Sequence, residues 1–299
     1  MTTPIGRTRF TDVRRVDETG STNDDLMALG RRGEPEGIVL VAGHQTGGRG
    51  RHGRTWSAPP GMGLLCSVLL RPPAAVAELI TATVAVALLD ALESLGATGV
   101  GIKWPNDLIV ATSGAGRGGH RRVERKLAGI LAEADAPVGS STASGQRAPK
   151  DTERLLVVVG SGVNVNTPTE LPVEVADRFI ALDALVSPTP GVDEVLEAYL
   201  EALERAHALV LADRDGLLER WRERCVTIGR DVRVDLGVRD LRGVAMRIDG
   251  HGRLVVRSDG GVETAVAAGD VVHLGTEESP AGRSGPVEAG SEASRRVCE

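Results

Sequence analysis

Gly37-Ile38-Val39-Leu40-Val41-Ala42-Gly43-His44-Gln45-Thr46 runs directly into Gly47-Gly48-Arg49-Gly50-Arg51-His52-Gly53-Arg54-Thr55-Trp56. The first half is short, apolar and β-branched, the pattern of a buried strand. The second half packs four glycines and three arginines into eight residues and then adds an indole. Such a segment cannot contribute to a hydrophobic core. Glycine lets a backbone take positive φ and approach a ligand closely. Arginine offers a fixed fork of donors matched to phosphate or carboxylate oxygens. Two readings follow: a loop that closes over an anionic, nucleotide-containing ligand, or a disordered basic segment with some affinity for RNA.

Working outward, residues 1–15 are polar and basic and read as a short lead-in. Ser21-Thr22-Asn23 precedes Asp24-Asp25 and an apolar pattern that starts at Leu26. That is a helix N-terminus, with caps followed by acids in the first turn. Either these groups only cap, or they bind a polar ligand head beside exposed helix N–H donors. Gly63 to Leu70 reads as the next strand, ended by Pro72 and Pro73, and Ala74 to Leu95 as one long helix buried against a sheet. Two short strands flank the turn Lys103-Trp104-Pro105-Asn106-Asp107. A plain hairpin turn needs neither the lysine nor the tryptophan, so the turn also reads as an amide and a carboxylate offered to a sugar or a metal-bound phosphate.

Residues 112–124 lack periodicity and read as a flexible insertion in a hairpin, and residues 137–153 as a second one. Lys126-Leu127-Ala128-Gly129-Ile130-Leu131-Ala132-Glu133 alternates as a strand does. Lys126 at its start is either an ordinary edge residue or a charge stabiliser aimed into a cleft. Leu155 to Asn166 reads as a central strand, antiparallel to the Lys126 strand, that ends in a glycine turn with Asn164 and Asn166. Residues 171–185 and 191–224 read as helical, with Val195, Leu196, Tyr199 and Leu200 as core positions.

The texture changes near Cys225. Short strands such as Val232-Arg233-Val234 and Leu254-Val255-Val256 are separated by hairpin signals at Asp249-Gly250 and Asp259-Gly260. The expected fold is therefore α+β: a mixed sheet flanked by helices over 1–224, a small antiparallel barrel over 225–274, and a disordered tail over 275–299.

Composition narrows the function. The chain has 299 residues, 41% of them hydrophobic, enough for a sizeable aliphatic core. A net charge of −6 disfavours nucleic acid as a global partner, so any basic site must be local. Cys66, Cys225 and Cys298 show no paired spacing, which argues against a disulfide framework or zinc site and fits a reducing cytoplasm. No stretch suits a signal peptide or a membrane span.

Together, Ser21-Thr22-Asn23, Gln45 to Trp56, Lys103 to Asp107 and Lys126 to Leu131 resemble one family, the biotin–protein ligases (biotin–[acetyl-CoA-carboxylase] ligases). Gly160-Ser161-Gly162-Val163-Asn164-Val165-Asn166 is similar to that family's glycine-asparagine strand end, and Ala268-Gly269-Asp270-Val271-Val272-His273-Leu274 to its C-terminal domain. The resemblance implies a biotin/lipoate ligase-like catalytic domain followed by an SH3-like barrel. It implies two half-reactions. Biotin and ATP, with Mg2+, give biotinyl-5′-AMP and pyrophosphate. A lysine on a biotin carboxyl carrier domain of an acyl-CoA or pyruvate carboxylase then takes the biotinyl group and releases AMP.

By resemblance, Arg49, Gly50 and Arg51 bind biotin and its adenylate, and Arg51 holds the intermediate until the acceptor arrives. Lys126 neutralises charge near the reacting groups. Ser21, Thr22, Asn23 and Gln45 hydrogen-bond biotin. Arg54, Trp56, Asn106 and Asn164 are nucleotide-contact candidates, and Asp107 a magnesium candidate. His52 is assigned no role. A lipoate- or octanoate-type acyltransferase of the same superfamily is the alternative, and a nucleic-acid-binding protein the reading from another class. About 20 residues precede Ser21, too few for a DNA-binding module, so ligation without DNA binding or repression is the expectation.

Overall fold

The computed structural model of the chain describes residues 8–116, 119–135, 153–237 and 239–274. The expected mixed sheet is present. Its seven strands lie in the order β1-β2-β3-β7-β6-β5-β4. They span Asp12–Thr19 (β1), Ile38–Gln45 (β2), Gly63–Leu70 (β3), Val100–Lys103 (β4), Asp107–Gly116 (β5), Gly119–Asp135 (β6) and Leu156–Asn164 (β7). Only β1 and β2 run parallel, and the other pairs are antiparallel, including β6 with β7 as expected.

The apolar run 38–42 has a physical cause. β2 is covered on both faces, as a continuous rather than alternating pattern implies. Val39 and Val41 join the main core with helices α3 (Ile80–Ser94) and α5 (Val192–Ala212). Ile38 and Leu40 join a second cluster under helix α1 (Thr22–Arg31), built on Leu26 and Met27. Ser21 caps α1 by accepting from Asp24 N–H, and Asp24 and Asp25 occupy its first turn. Burial outweighs the cap here. Leu26 is fully buried, a contribution of roughly 1.5–3 kcal/mol, against about 1 kcal/mol for an N-cap.

Several expectations are corrected. Residues 12–15, read as part of a lead-in, open the edge strand β1, and charged side chains suit an edge that must not pair further. The helix expected over 74–95 is two pieces, α2 (Ala74–Ala77) and α3, parted at Glu78-Leu79. Residues 171–185 are mostly not helical. They hold a single turn, α4 (Val173–Ala176), a 3-10 turn at Leu182–Ala184, and an extended bridge from Phe179 to Lys126. The helical stretch 191–224 divides at Asp213, which ends α5 and caps α6 (Arg214–Arg224) through Gly216 N–H. The described parts of 112–124 are strand, not flexible insertion, with Thr112 opposite Val123. Residues 137–152 and 275–299, read as an insertion and a tail, lie outside the described residues.

The C-terminal strands are β8 (Asp231–Asp235), β9 (Asp240–Ile248), β10 (Leu254–Arg257), β11 (Glu263–Val266) and β12 (Asp270–His273). They form a five-stranded antiparallel sheet in the order β11-β10-β9-β8-β12. This sheet is fastened to the larger one by buried polar contacts. Trp104 Nε1–H donates to the Gly252 carbonyl at 3.0 Å, and Trp104 N–H to Thr227 Oγ1 at 3.0 Å. Trp104 is therefore a structural anchor, which is why the turn after β4 carries an indole.

Candidate active site

A cavity of about 880 Å3 opens above the sheet, on the face that carries α1. Every residue named for the site from sequence lines it: Ser21, Thr22, Asn23, Gln45, Arg49, Gly50, Arg51, Arg54, Trp56, Asn106, Asp107, Lys126 and Asn164. They come from widely separated parts of the chain, and the strand order brings them together.

The floor is a row of directly opposed residues, Asp107 on β5, Gly129 on β6, Gly162 on β7 and Leu65 on β3. The two glycines are there for clearance. The Trp56 indole lies against both, and a Cβ at Gly162 would collide with it, while one at Gly129 would stand 3.0 Å from Trp56 Cζ3. Two residues before Gly162, Gly160 makes room for Asn23, whose Oδ1 would lie 2.5 Å from a Cβ there.

Lys126 reaches this floor through a β-bulge. Across from Leu108 and Ile109 stand Ala128 and Lys126, so Leu127 is the extra residue of β6. Regular alternation would put Lys126 and Gly129, three apart, on opposite faces. The bulge returns Lys126 to the cavity side and sends Leu127 into the core. The edge-residue reading of Lys126 is thereby excluded. Its Nζ lies 2.7 Å from Asp107 Oδ1 and 5.2 Å from the centre of the Trp56 ring. Asp107 Oδ1 makes no hydrogen bond, so this contact is an ion pair of poor angular geometry.

At the α1 end the polar residues hold one another. Thr22 N–H donates to Gln45 Oε1 at 2.8 Å, with Thr22 Oγ1 3.0 Å away. Ser67 Oγ stands 2.7 Å from both Thr22 Oγ1 and Asn23 Oδ1. The Asn23 amide donates to Leu131 O and to Glu133 Oε2, at 3.2 and 2.7 Å. Asn164 spends its amide protons on the Lys126 and Ile180 carbonyls. Asn23 and Asn164 thus shape the site from buried positions, and the Gln45 amide nitrogen has no hydrogen-bond partner among the described residues.

The lid, residues 47–56, is a small hairpin and not a coil. Arg49 bridges Thr55, Trp56 N–H donates to the Gly48 carbonyl at 2.9 Å, and a 3-10 turn spans Arg51–Gly53. Its three arginines differ sharply. Arg49 makes two 2.6 Å bonds to Asp24 and a longer contact to Glu133, and Asp24's hydrogen bonds hold its pKa above the ordinary value. Arg54 pairs with Asp270 at 2.5 Å. Arg51 has only neutral partners, Asn106 Oδ1 at 3.3 Å and the Gly269 carbonyl at 3.2 Å, and no carboxylate within ion-pair distance among the described residues. Burial pushes its pKa down, opposed by the fields of Asp270 and Asp107, yet a guanidinium stays charged. Arg51 is the lid arginine with no carboxylate at ion-pair distance among the described residues.

Sequence reasoning missed Ser67, Glu133, Glu124, Gly269 and Asp270. Ser67 had a signal, a lone hydroxyl inside the apolar run Leu64 to Leu70. Glu124 had none. It lines the cavity, bonded to His273 Nδ1 at 2.7 Å and paired with Lys103 at 3.3 Å. Burial alone would raise its pKa, but His273 and Lys103 outweigh that and hold it at about 2.

Two family descriptions match the chain: the biotin/lipoate A/B protein ligase family over residues 15–143, and the biotin protein ligase C-terminal domain over residues 227–274. The chain is 37% identical over 270 residues to the biotin--[acetyl-CoA-carboxylase] ligase of Mycobacterium tuberculosis, covering 87% of this chain and 88% of that one. It belongs to the biotin protein ligase family. It is also 30% identical over 248 residues to the bifunctional ligase/repressor BirA of Escherichia coli, across 80% of this chain and 67% of that protein. In fold it resembles the biotin protein ligase from Aquifex aeolicus solved with biotin and ATP, with a TM-score of 0.64 at 24% identity over 87% of this chain and 97% of that one.

Proposed function

We propose that the protein is an ATP-dependent biotin ligase. It forms biotinyl-5′-AMP from biotin and ATP and transfers the biotinyl group to a lysine of a biotin carboxyl carrier domain. The observation that carries this reading is the gathering of the lid arginines, Lys126 and the α1 cap around one cavity. Joining a carboxylate to a polyphosphate requires two anions to approach, and fixed cations make that possible. Arg51, with no carboxylate at ion-pair distance among the described residues, receives the developing anionic centre. Lys126 leaves its ion pair with Asp107 to lie along the reacting carboxylate and α-phosphate. The Thr22–Gln45–Ser67 group orients the polar head of biotin, and Trp56 covers the rings. Arg54 and Asn106 are the nucleotide-side contacts, while Asn164 holds the Lys126 backbone.

Magnesium enters as part of MgATP. Among the described residues no cluster of three metal-ligating side chains exists. A phosphate-borne Mg2+ needs only one or two protein carboxylates, and Asp107 is the one offered, in competition with Lys126. In this reading residues 1–224 do the chemistry and residues 225–274 form the second domain. The acceptor is the carrier domain of an acetyl-CoA or related carboxylase, and among the described residues no helix is long and apolar enough to cross a membrane. The test is a carrier-labelling assay with biotin, ATP and Mg2+. Labelling that persists without ATP, or that prefers lipoate to biotin, overturns the proposal.

A further inference from the structure

The lid does not rest on the catalytic sheet alone. Three residues of its tip reach the start of β12. Arg54 Nη2 lies 2.5 Å from Asp270 Oδ2, and His52 Nε2 lies 3.6 Å from Asp270 Oδ1. Arg51 Nη1–H donates to the Gly269 carbonyl at 3.2 Å, across a sequence separation of 218 residues.

Both sides of this contact are built for it. On the lid, His52 has a φ of 55°, the only positive value at a non-glycine among the described residues, and Gly53 follows at 72°. That left-handed corner costs energy at histidine. It folds the tip tightly enough for Gly50 N–H to reach the Arg54 carbonyl at 2.6 Å. On the other side, Gly269 leaves no room for a side chain. A Cβ there would stand 2.6 Å from Val234 Cγ1 and 3.0 Å from the Asp235 carbonyl. β12 therefore starts hard against β8, with Asp270 opposite Asp235, and its first side chain stands beside the lid.

We propose that Asp270 is a positioning residue, the catch by which the C-terminal sheet holds the arginine lid shut over the bound adenylate. The inference deepens the adenylation reading and rests on it. Asp270 touches no reacting atom in this role. It acts through Arg54 and His52, and so on the backbone that carries Arg51. The Arg54 side chain is 64% exposed and that of Asp270 33%, so the catch is of surface strength and screened by salt. That strength suits its task. A lid held by a deeply buried ion pair would stay shut, whereas this one opens in every turnover and still slows escape of a hydrolysable mixed anhydride.

The test compares the parent chain with Asp270→Asn and Asp270→Glu. Adenylate formation is read by pyrophosphate exchange, and its retention by release of labelled adenylate into solution without carrier. Asp270→Asn is expected to release adenylate about two- to five-fold faster, the range an exposed ion pair supports, with formation within about two-fold of the parent. Release by the variant should lose most of the salt dependence shown by the parent, and Asp270→Glu should restore retention. A merely structural defect would lower formation and would not be rescued by glutamate. Tryptic cleavage at Arg51 and Arg54 in the ligand-free chain is an activity-independent arm, expected to quicken in Asp270→Asn. If Asp270→Asn fails to fold, Arg54→Gln breaks the same catch from the lid side and is read only by tryptic cleavage at Arg51 in the ligand-free chain, expected to quicken, since Arg54 also faces the nucleotide. Parental release and parental cleavage overturn the catch. Absence of exchange in the parent counts against the adenylation reading alone, and the cleavage arm then decides the catch.

Discussion

Arg49 and Asp24 face each other fork to fork, with two 2.6 Å bonds between the first arginine of the lid and the first turn of α1. The acid that favours the helix N-terminus is also the anchor of the lid. Glu133, reached by the same guanidinium at 3.2 Å, joins β6 to the pair. In this closed hairpin the Arg49 guanidinium is paired with Asp24 and Glu133 and so fixes the lid's base beside Thr22 and Asn23.

Asp24→Asn should therefore loosen the base of the lid without unfolding α1, whose cap is Ser21. A bidentate but exposed pair is worth about 0.5–1 kcal/mol. Hydrogen exchange at the Gly50 and Trp56 amides, both bonded inside the hairpin, should quicken by a few-fold. Unchanged exchange would mean that the hairpin closes without its base.

Lys126→Ala should lower adenylate formation by about 100-fold or more, as removal of a preorganised cation does. Its thermal stability should change little, because the ion pair with Asp107 is partly exposed. Deleting Leu127 would be the complementary experiment. It removes the bulge but leaves Lys126 two residues from Gly129, and so still on the cavity face, and should act mainly by destabilising the core that Leu127 enters.

Gly162→Ala should force Trp56 off the floor. The collision is with a packed indole, so a cost of roughly 1–3 kcal/mol is expected from overpacking. The same substitution in a Trp56→Ala background should cost much less, and a double-mutant cycle of urea midpoints measures the difference. Additive costs would mean that Gly162 is required for its backbone and not for clearance.

Acid stability turns on buried histidines. His207 on α5 is 2% exposed, and neither ring nitrogen has a hydrogen-bond partner among the described residues. Burial lowers its pKa, as it lowers that of His273. The unfolded chain therefore binds protons at about pH 6.5 while the folded chain resists them. Stability is full above that pH and falls as pH drops below it toward the folded values. Glu124, held at about 2, adds a second loss below roughly pH 4.5. His207→Leu should stabilise the chain by about 1 kcal/mol at pH 7.5, since an orphaned polar group is removed. Its advantage should grow at pH 5.5, measured by urea midpoints. A constant difference would rule out His207 as a source of acid lability.

The chain order of local signals carried much of this protein. Continuous apolar runs identified β2, β3 and β7 because each is covered on both faces. Ser21, Asp24 and Asp25 marked the start of α1 through the chemistry of exposed N–H groups. The arginine-glycine run, the Lys103 to Asp107 turn and Lys126 stood out because such groups have no place in an apolar core, and they line the cavity. What escaped was set by contacts distant in sequence. β1 is polar and becomes a strand only because β2 offers it an open edge. The bulge at Leu127 decides which face Lys126 takes, and alternation within one strand cannot reveal it. Asp24 and Asp270 look like a helix-start acid and a turn acid until folding sets them against Arg49 and Arg54. Sequence alone determined which groups are present and which elements they start, because those depend on neighbours a few residues away. Tertiary structure alone decided which charges are spent on one another and which, as at Arg51, have no carboxylate at ion-pair distance among the described residues, because charge pairing depends on distance in space.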